Sequence, residues 1–96
     1  MANLPPIPAM PESLEDRRRR LLYRSLYTGT KETDLLLGGF ARRHLAGFTA
    51  AQLDRYERLL DESEPDLFDW ATGRAPAPAH HDHDVMKLLK NFKPES

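Results

Sequence analysis

Apolar residues recur along this chain at intervals of three and four, and each such run is bracketed by residues that start or stop helices. Leu14, Leu21, Leu22 and Leu26 make a partial apolar stripe behind Ser13. Ser13 suits an N-cap, with Glu15 and Asp16 in the opening turn where the helix dipole favours acids. That first helix is expected to end near Gly29. A second is expected over about 31–46, with Leu36, Leu37, Phe40, Ala41, His44 and Leu45 at helical spacing and Gly47 as its stop. Gly38 and Gly39 inside it cost roughly 1–2 kcal/mol relative to alanines, which marks either close helix packing or a weak point.

Thr49-Ala50-Ala51-Gln52 reads as a capping box, with Phe48 before it and Leu53 at the staple position. The third helix then runs over about 50–61 and buries Leu53, Tyr56, Leu59 and Leu60. Ser63-Glu64-Pro65-Asp66 starts a fourth, about 64–72, which buries Leu67, Phe68 and an anchoring Trp70 and stops at Gly73. The fifth, about 82–92 and capped by Asp82, carries Val85, Leu88, Leu89 and Phe92 at i, i+3, i+4 and i+7. With one Val, one Ile and no alternating run, strand evidence is poor. The expected fold is all-α, a compact irregular five-helix bundle.

Ninety-six residues allow one domain, expected over 13–92. Residues 1–12, with Pro5, Pro6, Pro8 and Pro11, read as a disordered tail, and 93–96 as a frayed end. Arg74 to Ala79, with Pro76 and Pro78, reads as a short linker. Burial energy and ordering entropy nearly cancel at this size, so modest stability, or stability gained from a partner, is expected. Fourteen Lys and Arg against fifteen Asp and Glu give a net charge of −1, which removes the electrostatic case for nucleic-acid binding. Without Cys there is no disulfide, thiolate metal site or thiol nucleophile. No run is apolar enough to cross a membrane, so no membrane insertion is expected. The opening residues resemble neither a secretory signal nor a transit peptide, which favours a bacterial cytoplasm over a mitochondrial matrix.

Candidate chemistry is sparse. Arg17-Arg18-Arg19-Arg20 offers a phosphate or acidic-partner surface, but helical geometry spreads the four around the axis, so a solvated face with some pairing to nearby acids is the simpler reading. His80-His81-Asp82-His83-Asp84 has the residue types of a metal tract without persuasive spacing, and reads as a mobile, capping or solvated segment. Asp61, Glu62, Glu64, Asp66 and Asp69 open a helix, where the dipole accounts for them. Ser25, Thr28, Thr30 and Thr33 have no His or Lys placed as their base, so no catalytic residue, metal ligand or bound cofactor is expected.

The segment around the first helix corner is more informative. Leu21-Leu22-Tyr23-Arg24-Ser25, then Gly29-Thr30-Lys31-Glu32-Thr33-Asp34-Leu35-Leu36-Leu37 and Phe40-Ala41, resembles the succinate dehydrogenase flavinylation and assembly factor family. The likeness continues through Tyr56-Glu57-Arg58-Leu59-Leu60, Pro65-Asp66-Leu67-Phe68-Asp69-Trp70 and Val85-Met86-Lys87-Leu88-Leu89. The resemblance implies a small five-helix bundle that binds the flavoprotein subunit of succinate dehydrogenase, and in some members that of fumarate reductase. It implies no catalysis by the chain itself: FAD is attached to the partner, whose flavinylation the factor promotes as a chaperone, free as a monomer. The family hallmark, Arg-Gly-x-x-Glu, falls on Thr28, Gly29 and Glu32, with Thr28 where the arginine is expected. Arg24 and Lys31 are candidates to supply the missing charge. The implied partner-binding residues are therefore Arg24, Thr28, Gly29, Lys31, Glu32 and Asp34. The competing reading is a small helical interaction or regulatory module that uses the Arg17–Arg20 surface.

Overall fold

The structure, a computed structural model, describes residues 12–94; residues 1–11, most of the expected tail, and residues 95 and 96 lie outside it. The described residues form five α-helices and no strand: α1 Leu14–Leu26, α2 Lys31–His44, α3 Ala50–Leu60, α4 Glu64–Thr72 and α5 Asp84–Asn91. Short 3-10 turns occupy Leu45–Gly47 and Ala79–His81. The all-α bundle expected from the periodicity is what forms.

Helix starts follow the local chemistry. Ser13, Thr30, Thr49 and Ser63 each accept a hydrogen bond from the backbone N–H three residues on, and Thr49 with Gln52 completes the reciprocal box. Two boundaries differ from expectation. The helix α2 gives way to the tighter turn at Leu45, where the Arg18 guanidinium takes the carbonyls of Leu45 (2.9 Å) and Phe48 (2.8 Å). The cap of α5 is His83, whose Nδ1 accepts from Met86 N–H, and not Asp82. Asp84 then holds α5 to α3 through Gln52 (3.1 Å) and Arg55 (3.0 Å).

All five helices feed one apolar core. Phe40 sits in it among Tyr56, Phe92 and Phe48, with ring centroids 5.5, 5.8 and 6.1 Å away. Gly38 and Gly39 permit this closeness. A Cβ on Gly38 would lie 2.8 Å from Leu26 Cδ2, and one on Gly39 3.2 Å from the Phe92 ring. Close packing, one of the two readings of this pair, is therefore the one realised.

One polar bond crosses the core. Ser25 Oγ donates to Leu21 O (2.8 Å), so its lone proton is committed and the Tyr56 hydroxyl is the donor in their 2.6 Å contact. Burial pushes the Tyr56 phenol further up, so it stays protonated.

The arginine run is mostly consumed inside the molecule. Arg17 pairs with Asp54 (2.6 Å) and Glu57 (2.9 Å), and Arg20 with Glu57 (2.8 Å) and Glu12 (2.9 Å). Arg18 holds backbone carbonyls, and only Arg19 stays on its own exposed helix face, beside Glu15 and Asp16. The run is a clamp of α1 onto α3 and the 3-10 turn, neither an open basic surface nor a merely solvated one.

Two outcomes test these bonds. Ser25→Ala orphans a buried hydroxyl donor and should cost about 1–3 kcal/mol, whereas Tyr56→Phe should cost about 1 kcal/mol or less. Denaturant midpoints check the order, and the double variant should recover part of the Ser25→Ala loss. The second concerns Glu57, whose carboxyl is held below the usual glutamate range by hydrogen bonding to Arg20 and then Arg17. A lowered folded-state pKa stabilises above the ordinary value, about 4.3, and the gain fades as pH falls below it. Glu57→Gln should therefore lower Tm near neutrality and lose that deficit in acid; a deficit constant with pH would contradict the clamp.

Candidate partner-binding corner

The link between α1 and α2 is four residues, 27–30, and Gly29 turns it at φ +133°. That value is closed to ordinary L side chains although the space beside it is open, with Glu64 Oε1 3.8 Å from where a Cβ would stand. Thr28, half-buried, gives its N–H and its hydroxyl to Asp34 Oδ1, each at 2.5 Å. These bonds, the side-chain one foremost, hold the Asp34 carboxyl below its usual range. Thr30 Oγ1 (2.7 Å) and Thr33 Oγ1 donate to Glu64 Oε2, and Thr33's bond leads in keeping the Glu64 carboxyl low. The corner is thus fastened to α2 by one carboxylate and to α4 by another.

The six expected site residues divide in two. Gly29, Lys31 and Glu32 are exposed, and neither Lys31 nor Glu32 has an ion-pair partner among the described residues. Thr28, Asp34 and Arg24 face inward to bonds of their own. Arg24 caps the end of α3 through Leu60 O (3.0 Å) and pairs with Asp61 (3.1 Å). Of the two candidates for the missing hallmark charge, Arg24 is therefore engaged and Lys31 is free.

Sequence reasoning did not find Glu64 as the corner's second fastening, because it sits thirty-four residues from Thr30 and reads locally as a helix-opening acid. It also missed the exposed pair Tyr23 and Tyr27, whose rings lie 4.8 Å apart at a 45° tilt. They border a cavity of about 280 Å³ beside Thr28, floored by Leu37 and Leu67 with Glu62 and Glu64 on its wall.

Of the histidine tract, expected to be mobile, capping or solvated, His83 caps α5 and His80, Asp82 and Asp84 are exposed, but His81 is buried. The turn Ala79–His81 carries His81 inward to 3% exposure, 5.6 Å from Trp70 between ring centroids. Its Nε2 lies 2.6 Å from Glu62 Oε2, and that bond is the first cause of the lowered Glu62 pKa. With His80, these residues bring ligand-type atoms within 4.8 Å of one another. Zinc between His81 and Glu62 at about 2.1 Å from each would hold the two atoms about 3.4 Å apart at a tetrahedral angle. The direct bond fills that space, so the group reads as an internal pair that fastens the linker.

The hydroxyls of Thr28, Thr30 and Thr33 are committed to carboxylates, and the buried Ser25 faces a phenol. On the outer side of the turn Lys31 and Glu32 stand side by side, neither in an ion pair among the described residues.

The family model described as flavinator of succinate dehydrogenase matches residues 19–93. Among curated proteins, the succinate dehydrogenase assembly factor 2-A, mitochondrial, of Drosophila yakuba is 43% identical over 90 residues, covering 91% of this chain and 56% of that protein. The assembly factor 2-B, mitochondrial, of Drosophila persimilis is 42% identical over 91 residues, covering 88% and 58%. The chain thus spans a little over half the length of these relatives. They are named as assembly factors and not as enzymes. They are also named as mitochondrial, which overturns the expectation of a bacterial cytoplasm. That expectation rested on the opening residues not resembling a transit peptide, which is too weak a signal to outweigh relatives this similar.

Gly29→Ala isolates the cost of the turn, since only backbone strain and no clash opposes it. It should destabilise the protein by about 1–3 kcal/mol, read as a denaturant midpoint.

Proposed function

Because the chain belongs to the family described as flavinator of succinate dehydrogenase, we propose that it binds the flavoprotein subunit of that enzyme and promotes covalent attachment of FAD to it. In this reading FAD is the partner's cofactor, and the chain holds none of its own. On the relatives' names, we place this activity in the mitochondrion.

The observation that carries the reading is the division at the corner. Asp34 and Glu64 are spent on fixing the turn, while Glu32 and Lys31 stand free on its outer side. A contact surface that is already ordered loses little conformational entropy on binding, so more of its interaction energy appears as affinity. Gly29 lets partner backbone approach without meeting a side chain. Glu32 then supplies a directed anionic contact, and Lys31 stands where the family's arginine charge is absent. Binding the flavinylation-competent conformer of the subunit better than the others shifts its population toward that conformer. The reactive groups for flavin attachment then belong to the subunit and FAD.

Glu32→Ala tests this directly. Co-expressed with the flavoprotein subunit, it should reduce covalent flavin several-fold, read as flavin fluorescence of the large subunit after denaturing electrophoresis. Circular dichroism should be unchanged, because Glu32 makes no internal ion pair among the described residues. Full flavinylation by a folded Glu32→Ala protein would refute the role.

A further inference from the structure

The outer face of α2 does not stop at the corner. Lys31, Leu35, Gly39 and Arg42 follow one another at intervals of four, four and three residues and so share one stripe of the helix. Leu35 is 63% exposed, a large apolar side chain at the centre of this stripe. On either side of it the surface is hollow. One hollow of about 650 Å³ lies over Gly39, between Leu26, Phe92 and the segment after α5. The other, about 520 Å³, lies over Leu36 and Phe68. Gly39 makes the first hollow by having no side chain, and its tight approach to Phe92 sets the floor.

The rim of these hollows is cationic. Lys31, Arg42, Arg43, Lys90 and Lys93 border them, and none has an ion-pair partner among the described residues. The acids there are Asp34, already bonded to Thr28, and Glu32 at the corner. The dipole at the end of α2 favours Arg42 and Arg43, but it does not ask for Lys31 at the opposite end. The contrast with α1 is direct: there Arg17, Arg20 and Arg24 all meet carboxylates of other segments.

We infer that the Lys31–Leu35–Gly39–Arg42 stripe is a second docking surface, which takes an acidic segment of the partner subunit carrying one large apolar side chain. The apolar side chain fills the hollow over Gly39 beside Leu35, and carboxylates on either side meet Lys31 at one end and Arg42 and Arg43 at the other. The chain's own opening segment does not fit: residues 1–11 contain no acid. The inference rests on the reading that the chain binds the flavoprotein subunit, and it extends the contact from the corner along α2.

The test is binding of the purified chain to the purified, flavin-free subunit by calorimetry at several salt concentrations. Arg42→Glu with Arg43→Glu should weaken the wild-type affinity about tenfold or more and flatten its salt dependence. Arg58→Glu, at an exposed cation that borders neither hollow, should change it little. Leu35→Ser should weaken binding without altering the salt slope, and Arg42→Ala with Arg43→Ala repeats the charge test with helix formers. If the double charge variants bind as wild type while Glu32→Ala weakens binding, the groove is wrong and the corner stands. Equal losses in the Arg58→Glu protein would reduce the effect to general charge and overturn the groove. Occupation of the hollows by a second copy, seen as a dimer in sedimentation that the charge variants abolish, would also overturn it. If the wild-type chain does not bind the subunit at all, the functional reading fails and the groove falls with it.

Discussion

The position of α1 is fixed by charge as well as by apolar burial. Leu21 is fully buried and Leu26 packs on Gly38, but the only other fully buried residue of its thirteen is the polar Ser25. Its guanidinium groups reach across to Glu57, Asp54, Asp61 and the carbonyls of Leu45, Phe48 and Leu60. Charge-assisted bonds of this kind are stronger and more directional than neutral ones. Because α1 leads straight into the Gly29 turn, the clamp also fixes the direction from which the corner meets an outside molecule.

A small bundle of this kind has few residues to spare, and the corner shows how they are divided. Thr28, Thr30, Thr33, Asp34 and Glu64 use their polar groups on one another, and that leaves Lys31 and Glu32 as the pair not consumed by folding. The same partition recurs on a larger scale between α1, whose cations are mostly bound, and α2, whose Lys31, Arg42 and Arg43 have no ion-pair partner among the described residues.

The five helices were legible because their signals are local. Ser13, Thr49 with Gln52, Ser63 and Gly73 announce boundaries within a few residues of where they act. The Gly38-Gly39 pair also declared itself, since two glycines mid-helix cost too much to be idle. What stayed hidden was pairing across long stretches of chain. Nothing near Arg17 points to Glu57 forty residues on, and nothing near His81 points to Glu62 or to the space under Trp70. Asp82 has the better side chain for a cap, yet His83 takes the role because the preceding 3-10 turn sets where the helix can begin. Of the corner, the residues were visible and their inward or outward sense was not, since that depends on Glu64 arriving from α4.

The anchoring of α5 to α3 has a bearing on the far side of the molecule. Asp84, at the first residue of α5, is gripped by Gln52 and Arg55, while Phe92 and the residues after it form one wall of the hollow over Gly39. Eight residues of helix span about 12 Å. Thus α5 is a short stiff rod, gripped at Asp84 and seated in the core by Val85, Met86 and Leu89, so contacts about a helix length away help to set where the wall of the α2 groove stands.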